Sequence, residues 1–181
     1  MLRTRLFPKH RYQVEDEAKV EDEVSKFLDM LRFLALAIVQ AVAFINENDI
    51  KLSRYVQLYQ ANKQEATQLL SEEFQDQGRY PETKNPVATT WFISFEQIQA
   101  RDQLAADYLS FMACTEGTAI LESMLPRDKS EVAQTKALGT LKAYAFVTEG
   151  NYVGDRLHLD VYRLVHLAMR SWLRAKDEWL F

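Results

Sequence analysis

The residues through which this chain could do chemistry are few: His10, His158 and His166, the single Cys114, and scattered carboxylates. A zinc or iron site needs three or four ligands converging from rigid elements. Strand alternation would place His158 and Asp160 on one face while His166 falls on the following helix, so no metal site is expected. His166 reads instead as a partly buried hydrogen-bonding residue where that helix meets the preceding hairpin. Cys114 closes the apolar string Phe111-Met-Ala-Cys114 at a helix end and reads as a buried structural thiol, because a reactive thiolate needs a polar or positive setting. The chain holds no Gly-x-x-x-x-Gly-Lys-Ser/Thr loop, no Gly-x-Gly-x-x-Gly turn and no Gly-x-Ser-x-Gly elbow. A self-contained NTPase is therefore not expected, and neither is an enzyme of the other two kinds.

The elements that must position these residues come from an ordinary globular composition. Of 181 residues 48% are hydrophobic and 12% aromatic, and 22 Lys and Arg stand against 26 Asp and Glu, a net charge of -4. One Cys forbids an internal disulfide and a cysteine-rich zinc site, which points to a reducing compartment. The basic start Met1-Leu-Arg-Thr-Arg-Leu6 has no apolar stretch behind it, so a secretory signal is not expected and the cytoplasm is the expected location. The longest apolar run, Phe33 to Ile45, is interrupted only by Gln40 and is shorter than the roughly 20 residues of a membrane span. It predicts a helix buried on nearly all sides, and no membrane contact.

Periodicity fills in the rest. Val20, Val24, Phe27, Leu28 and Leu31 mark an amphipathic helix over 18–31, and Glu15, Asp16, Glu17, Glu21, Asp22 and Glu23 form its solvated, acidic start. The apolar run is a second helix, closed by Asn46-Glu-Asn-Asp49. Ser53 is placed to cap a third with Tyr55, Val56 and Tyr59, and Ala66, Leu69, Leu70 and Phe74 suggest a fourth. These make a small bundle over 1–74. Gly78, Pro81, Asn85 and Pro86 mark a linker over 75–86. Beyond it come a helix with Val87, Trp91, Phe92, Phe95 and Ile98, another with Leu104, Tyr108, Leu109 and Met112, and a third capped by Ser130. Ala145–Glu149 and Arg156–Val161 flank a Gly-containing turn and read as a hairpin, followed by a helix holding Leu164, Val165, Ala168, Trp172 and Leu173. The expected fold is mainly α: a helical bundle, then a winged-helix domain over 87–176 with the hairpin as its wing, and a tail over 177–181.

Several strings carry a resemblance. Leu34-Ala-Leu-Ala-Ile-Val-Gln-Ala-Val-Ala-Phe-Ile-Asn46, Leu69-Leu-Ser-Glu-Glu-Phe74, Asn85-Pro-Val-Ala-Thr-Thr-Trp-Phe-Ile-Ser-Phe-Glu-Gln-Ile98, Ala105-Ala-Asp-Tyr-Leu-Ser-Phe-Met-Ala-Cys114, Gly139-Thr-Leu-Lys-Ala-Tyr144 and Arg163-Leu-Val-His-Leu-Ala168 span nearly the whole chain. Together they resemble the region that follows the nucleotide-binding core in fungal NB-ARC proteins, the STAND-type, NLR-like signalling NTPases that often end in tetratricopeptide repeats. The resemblance implies a bundle and winged helix that clamp a nucleotide held by an upstream P-loop and switch between an ADP-bound closed state and an ATP-bound oligomer. It also implies roles in non-self recognition and programmed cell death.

Two nucleotide-sensing positions of that family fall within this chain. The Gly-Leu-Pro-Leu-type motif falls on Phe33-Leu-Ala-Leu36, with Ala35 where the proline stands, and the Met-His-Asp-type motif falls on Val161-Tyr-Arg163, with Tyr162 where the histidine stands. Ala removes a rigid apolar corner and favours a continuous helix. A phenol donates one hydrogen bond but cannot become cationic against phosphate. Ala35, Tyr162 and Arg163 are thus degenerate sensing positions, and ADP or ATP is expected only where a nucleotide-binding core is supplied upstream or in trans. The expectation is a non-catalytic interaction module whose partner is such a core or a full-length relative: a fragment or degenerate paralogue, or a gene truncated to begin at an internal Met. The alternative is a DNA-binding winged helix, whose reading helix over 130–142 would offer Gln134, Lys136 and Lys142 with Glu131 among them.

Overall fold

A computed structural model describes residues 17–70, 86–127, 130–150 and 158–175. Helix α1 (Glu17–Met30) and helix α2 (Ala35–Glu47) meet at a corner, and α3 (Leu52–Leu70) follows a short turn. Ser53 lies inside α3, and the third and fourth helices expected from the sequence are one continuous helix, because no breaker separates Tyr59 from Ala66 and both face the core. Phe74 and residues 75–85 of the expected linker lie outside the described residues. Pro86 opens α4 (Pro86–Arg101) at the first helical position, where a missing N–H costs nothing. Every residue from Pro86 to Phe95 is buried, so α4 is wrapped by its neighbours α2, α3, α5 and α7.

The second half continues with α5 (Gln103–Ala113), β1 (Ile120–Leu121), a 3-10 turn at Glu122–Met124, α6 (Glu131–Ala143), β2 (Val147–Glu149), β3 (His158–Val161) and α7 (Arg163–Ala175). Asp102 caps α5 by accepting from the Ala105 amide at 3.2 Å, and Ser130 caps α6, as its position predicts, by accepting from the Ala133 amide. The expected hairpin forms from β2 and β3, with its turn outside the described residues. A third strand, β1, joins it, giving an antiparallel sheet of order β1-β3-β2 in which Leu159 pairs with both Ile120 and Glu149. Two residues are too few to show alternation, which is why β1 has no signal in the sequence.

The chain is mainly helical, with one small sheet, as its periodicity predicts. One buried cluster extends from Phe27 of α1 to Leu173 of α7. Through it runs an unbroken series of ring contacts, Phe27, Tyr55, Phe44, Tyr144, Phe146, Trp91, Phe95 and Trp172, with successive centroids 4.7 to 6.5 Å apart. Those spacings suit edge-to-face and offset pairs, so the aromatic series ties both halves into one core.

The apolar run departs from expectation at its start. Phe33 is 63% exposed, Leu34 41% and Val39 43%, and Ala35 is also exposed, whereas Ala37, Gln40, Ala41, Val42, Phe44 and Ile45 are buried. Only one face of α2 meets α4, and the run is wider than that face. Among the described residues no helix is long and apolar enough to cross a membrane.

Candidate functional site

His158, Asp160 and His166 do converge, on the loop 115–119 between α5 and β1. The Ala119 amide donates to Asp160 Oδ1 at 2.7 Å, His158 Nδ1 lies 3.2 Å from the Ala119 carbonyl, and His166 Nε2 lies 2.9 Å from the Thr115 carbonyl. Each ring nitrogen named is the donor in the tautomer that satisfies its contact. His158 and Asp160 alternate with the buried Leu159 and Val161, as expected, and His166 is half-buried and hydrogen-bonded, also as expected, but against the 115–119 loop rather than the hairpin. Each of the three spends one polar atom on the backbone of this loop, so the cluster fixes the loop. No group of three or more His, Cys, Asp or Glu suited to a metal ion occurs among the described residues.

Cys114 is a correction. It is exposed, not buried, because the apolar string ends with the last turn of α5 and Cys114 is the capping residue beyond it. It is open to solvent at the C-terminus of α5.

The degenerate sensing positions lie on separate elements. Ala35 is the first residue of α2. Tyr162 precedes α7, accepting from the His166 amide at 2.9 Å and donating its own amide to the Phe146 carbonyl at 3.4 Å, and its side chain is exposed. Arg163 opens α7 and is exposed.

What the structure adds is an apolar corner. Residues 31–34 turn the chain from α1 into α2 through two adjacent left-handed residues, Arg32 at φ 53° and Phe33 at φ 54°. The Arg32 amide donates to the Asp29 carbonyl at 2.9 Å and the Phe33 amide to the Leu28 carbonyl at 3.0 Å, the two bonds of a Schellman end. Glycine is the usual residue there, and a bulky one with positive φ is an outlier of the kind that clusters at functional sites. Phe33 and Leu34 project from this turn, and Ala35 and Val39, one helical turn apart, continue the patch along α2. Together they form an aliphatic and aromatic patch that solvent reaches. The sequence signal is the run itself, since a helix apolar on all sides needs a cover on all sides.

The chain is 42% identical, over 181 aligned residues covering 98% of it, to a nucleotide-binding leucine-rich repeat (NLR)-like protein of Hyaloscypha variabilis. The chain has an NLR-like relative. It spans only 17% of that curated relative's length, so the match is to one part of a much longer protein. No family model matches the chain, and no solved structure matches it.

Proposed function

We propose that the chain is a non-catalytic interaction module, the bundle and winged-helix switch region of an NLR-like protein of the STAND type, acting in the cytoplasm by covering or releasing a nucleotide-binding core. The observation that carries this reading is the bare corner of Phe33, Leu34, Ala35 and Val39. An apolar surface of this kind is favourable only when something covers it. It coincides with the string that resembles the family's Gly-Leu-Pro-Leu-type motif, and the relative is named a nucleotide-binding leucine-rich repeat (NLR)-like protein. The winged-helix reading is supported by the order α5, β1, α6, β2, β3 with β3 central in the sheet. With Ala35 and Tyr162 in place of proline and histidine, the module senses nucleotide only through the core it contacts, and the family's signalling role in non-self recognition is the expected setting.

DNA binding has less support. Glu131 and Val132 sit on the exposed side of α6 with Lys136, and Lys142 is ion-paired with Glu149, so the helix that would enter a groove offers little phosphate neutralisation.

The test is calorimetric titration of the chain with the nucleotide-binding portion of the Hyaloscypha relative. Saturable binding is expected, weakened at least tenfold in Phe33→Asp/Leu34→Asp at unchanged thermal stability. No binding, or equal binding by the variant, overturns the reading.

A further inference from the structure

We propose that the α1–α2 corner is a hinge between two states of the chain: the observed bend and a single straight helix from Glu17 to Glu47.

The bend is locally unfavourable. Two consecutive side-chain-bearing residues, Arg32 and Phe33, occupy the left-handed region, where a Cβ crowds the following carbonyl. Nothing in the sequence asks for a turn there: from Val20 to Ile45 there is no Gly, Pro or Asn, and Leu31, Arg32, Leu34, Ala35 and Leu36 are good helix formers.

The apolar spacing also runs through the corner without a phase change. Val24, Leu31, Ile38 and Ile45 recur every seven residues, and so do Val20, Phe27, Leu34 and Ala41, each set offset from the other by three or four. Such a double heptad makes one stripe only on an uninterrupted helix. In the bent state the stripe is cut, and Leu34 falls on the exposed side of the cut.

Separate anchors on either side allow α1 to move while α2 stays. α2 is held by its buried face and by the hydrogen bond that Thr90 Oγ1 of α4 donates to Gln40 Oε1 at 2.9 Å. α1 is held in the bend by Phe27 and Leu31, both fully buried, with the Phe27 ring 6.1 Å from that of Tyr55 in α3. Straightening withdraws Phe27 from Tyr55 of α3 and Leu31 from the core, brings Leu34 into line with them and relaxes Arg32 and Phe33. Burial opposes backbone strain, and the hinge responds to whatever changes either one. This holds irrespective of what the exposed corner binds.

The test is a distance measurement between spin labels at Glu21→Cys and Glu47→Cys, both exposed sites, with Cys114→Ser to remove the other reactive thiol. A straight helix puts these backbones about 39 Å apart. The chain is expected to show a short distance together with a population near that length. Phe27→Ala shifts weight to the long distance, and Arg32→Gly/Phe33→Gly, which tolerates the bend and weakens the helix, removes the long distance and raises the thermal midpoint. Should Phe27→Ala fail to fold, the glycine pair decides alone. A single short distance in every chain, or a glycine pair that leaves both distribution and midpoint unchanged, overturns the proposal.

Discussion

Asn48 and Tyr144, 96 positions apart, meet where the two halves of the chain join: Asn48 Nδ2 donates to the phenol oxygen at 3.1 Å. Asn48 is the capping residue at the end of α2, its Nδ2 also reaches the Phe44 carbonyl at 2.9 Å, and its Oδ1 accepts from Arg101 of α4 at 3.0 Å. One amide thus binds the ends of α2, α4 and α6. Asn48→Ala leaves a phenol, a carbonyl and a guanidinium to find new partners and should cost about 1–2 kcal/mol in denaturant unfolding. Tyr144→Phe should cost less, because it removes a single bond. A double-mutant cycle checks the pairing: a coupling near zero would show that the Asn48–Tyr144 contact carries none of this stability.

Burial also sets how the fold responds to alkali. Tyr55 lies against Phe27 and Phe44, its hydroxyl unpartnered, and burial first, then the neighbouring Tyr59, hold its ionisation well above the ordinary tyrosine value. Burial likewise raises Tyr59 and Tyr144, opposed at Tyr59 by Thr89 and at Tyr144 by Asn48. The unfolded chain therefore releases these protons near pH 10, before the folded chain does. The contribution of these three groups to stability is constant below that pH and is lost as pH rises through and beyond it. Unfolding midpoints measured from pH 8 to 11.5 should decline above about 10, and Tyr55→Phe should make the decline shallower. Because the lost hydroxyl has no partner, that variant should be no less stable at pH 7.

Backbone conformation gives a third expectation. α6 ends as α1 does: the Ala145 amide donates to the Lys142 carbonyl at 3.0 Å and the Phe146 amide to the Leu141 carbonyl at 3.0 Å, with Ala145 at φ 55°. Its aromatic successor is fully buried, so this end is fixed. Ala145→Gly removes the Cβ penalty and should stabilise by up to about 1 kcal/mol, raising the melting temperature by about 2–4 °C. A fall in melting temperature would mean that glycine's greater freedom in the unfolded chain outweighs the relief.

These ends also show what the sequence conveyed and what it did not. Helices were legible where periodicity met a capping residue, as at Ser130, and the hairpin where β-branched residues flanked glycines. Three Schellman ends carry Arg32, Asp49 and Ala145 in place of the expected glycine; the end at Asp49 was signalled by the turn-favouring Asn46-Glu-Asn-Asp49, whereas the turns at Arg32 and Ala145 had no local signature. The continuity of α3 was hidden by a mostly polar stretch, Gln60 to Glu65, in which no residue is buried and the apolar periodicity lapses. The candidate site was half legible. The string from Phe33 to Leu36 was singled out, but its exposure was not, since apolar residues on two faces of a helix read alike until a neighbour is seen to cover only one.

The loop that His158, Asp160 and His166 hold down depends on a glycine for two reasons at once. Gly117 sits at φ +75°, and a Cβ there would lie 3.0 Å from His166 Cδ2 and 3.1 Å from Cγ. Its carbonyl also accepts from the Val161 amide at 2.8 Å, so the loop cannot retreat without breaking a bond to β3. Gly117→Ala should therefore destabilise by about 1–3 kcal/mol, part from the left-handed backbone and part from the displaced imidazole. The two parts separate in a cycle with His166→Ala. That change alone removes the contact to Thr115 and should cost about 1 kcal/mol. Added to Gly117→Ala it should cost less than it does alone, because the clash leaves with the ring. Strictly additive costs in thermal or urea unfolding would show that the strain at Gly117 lies wholly in its backbone.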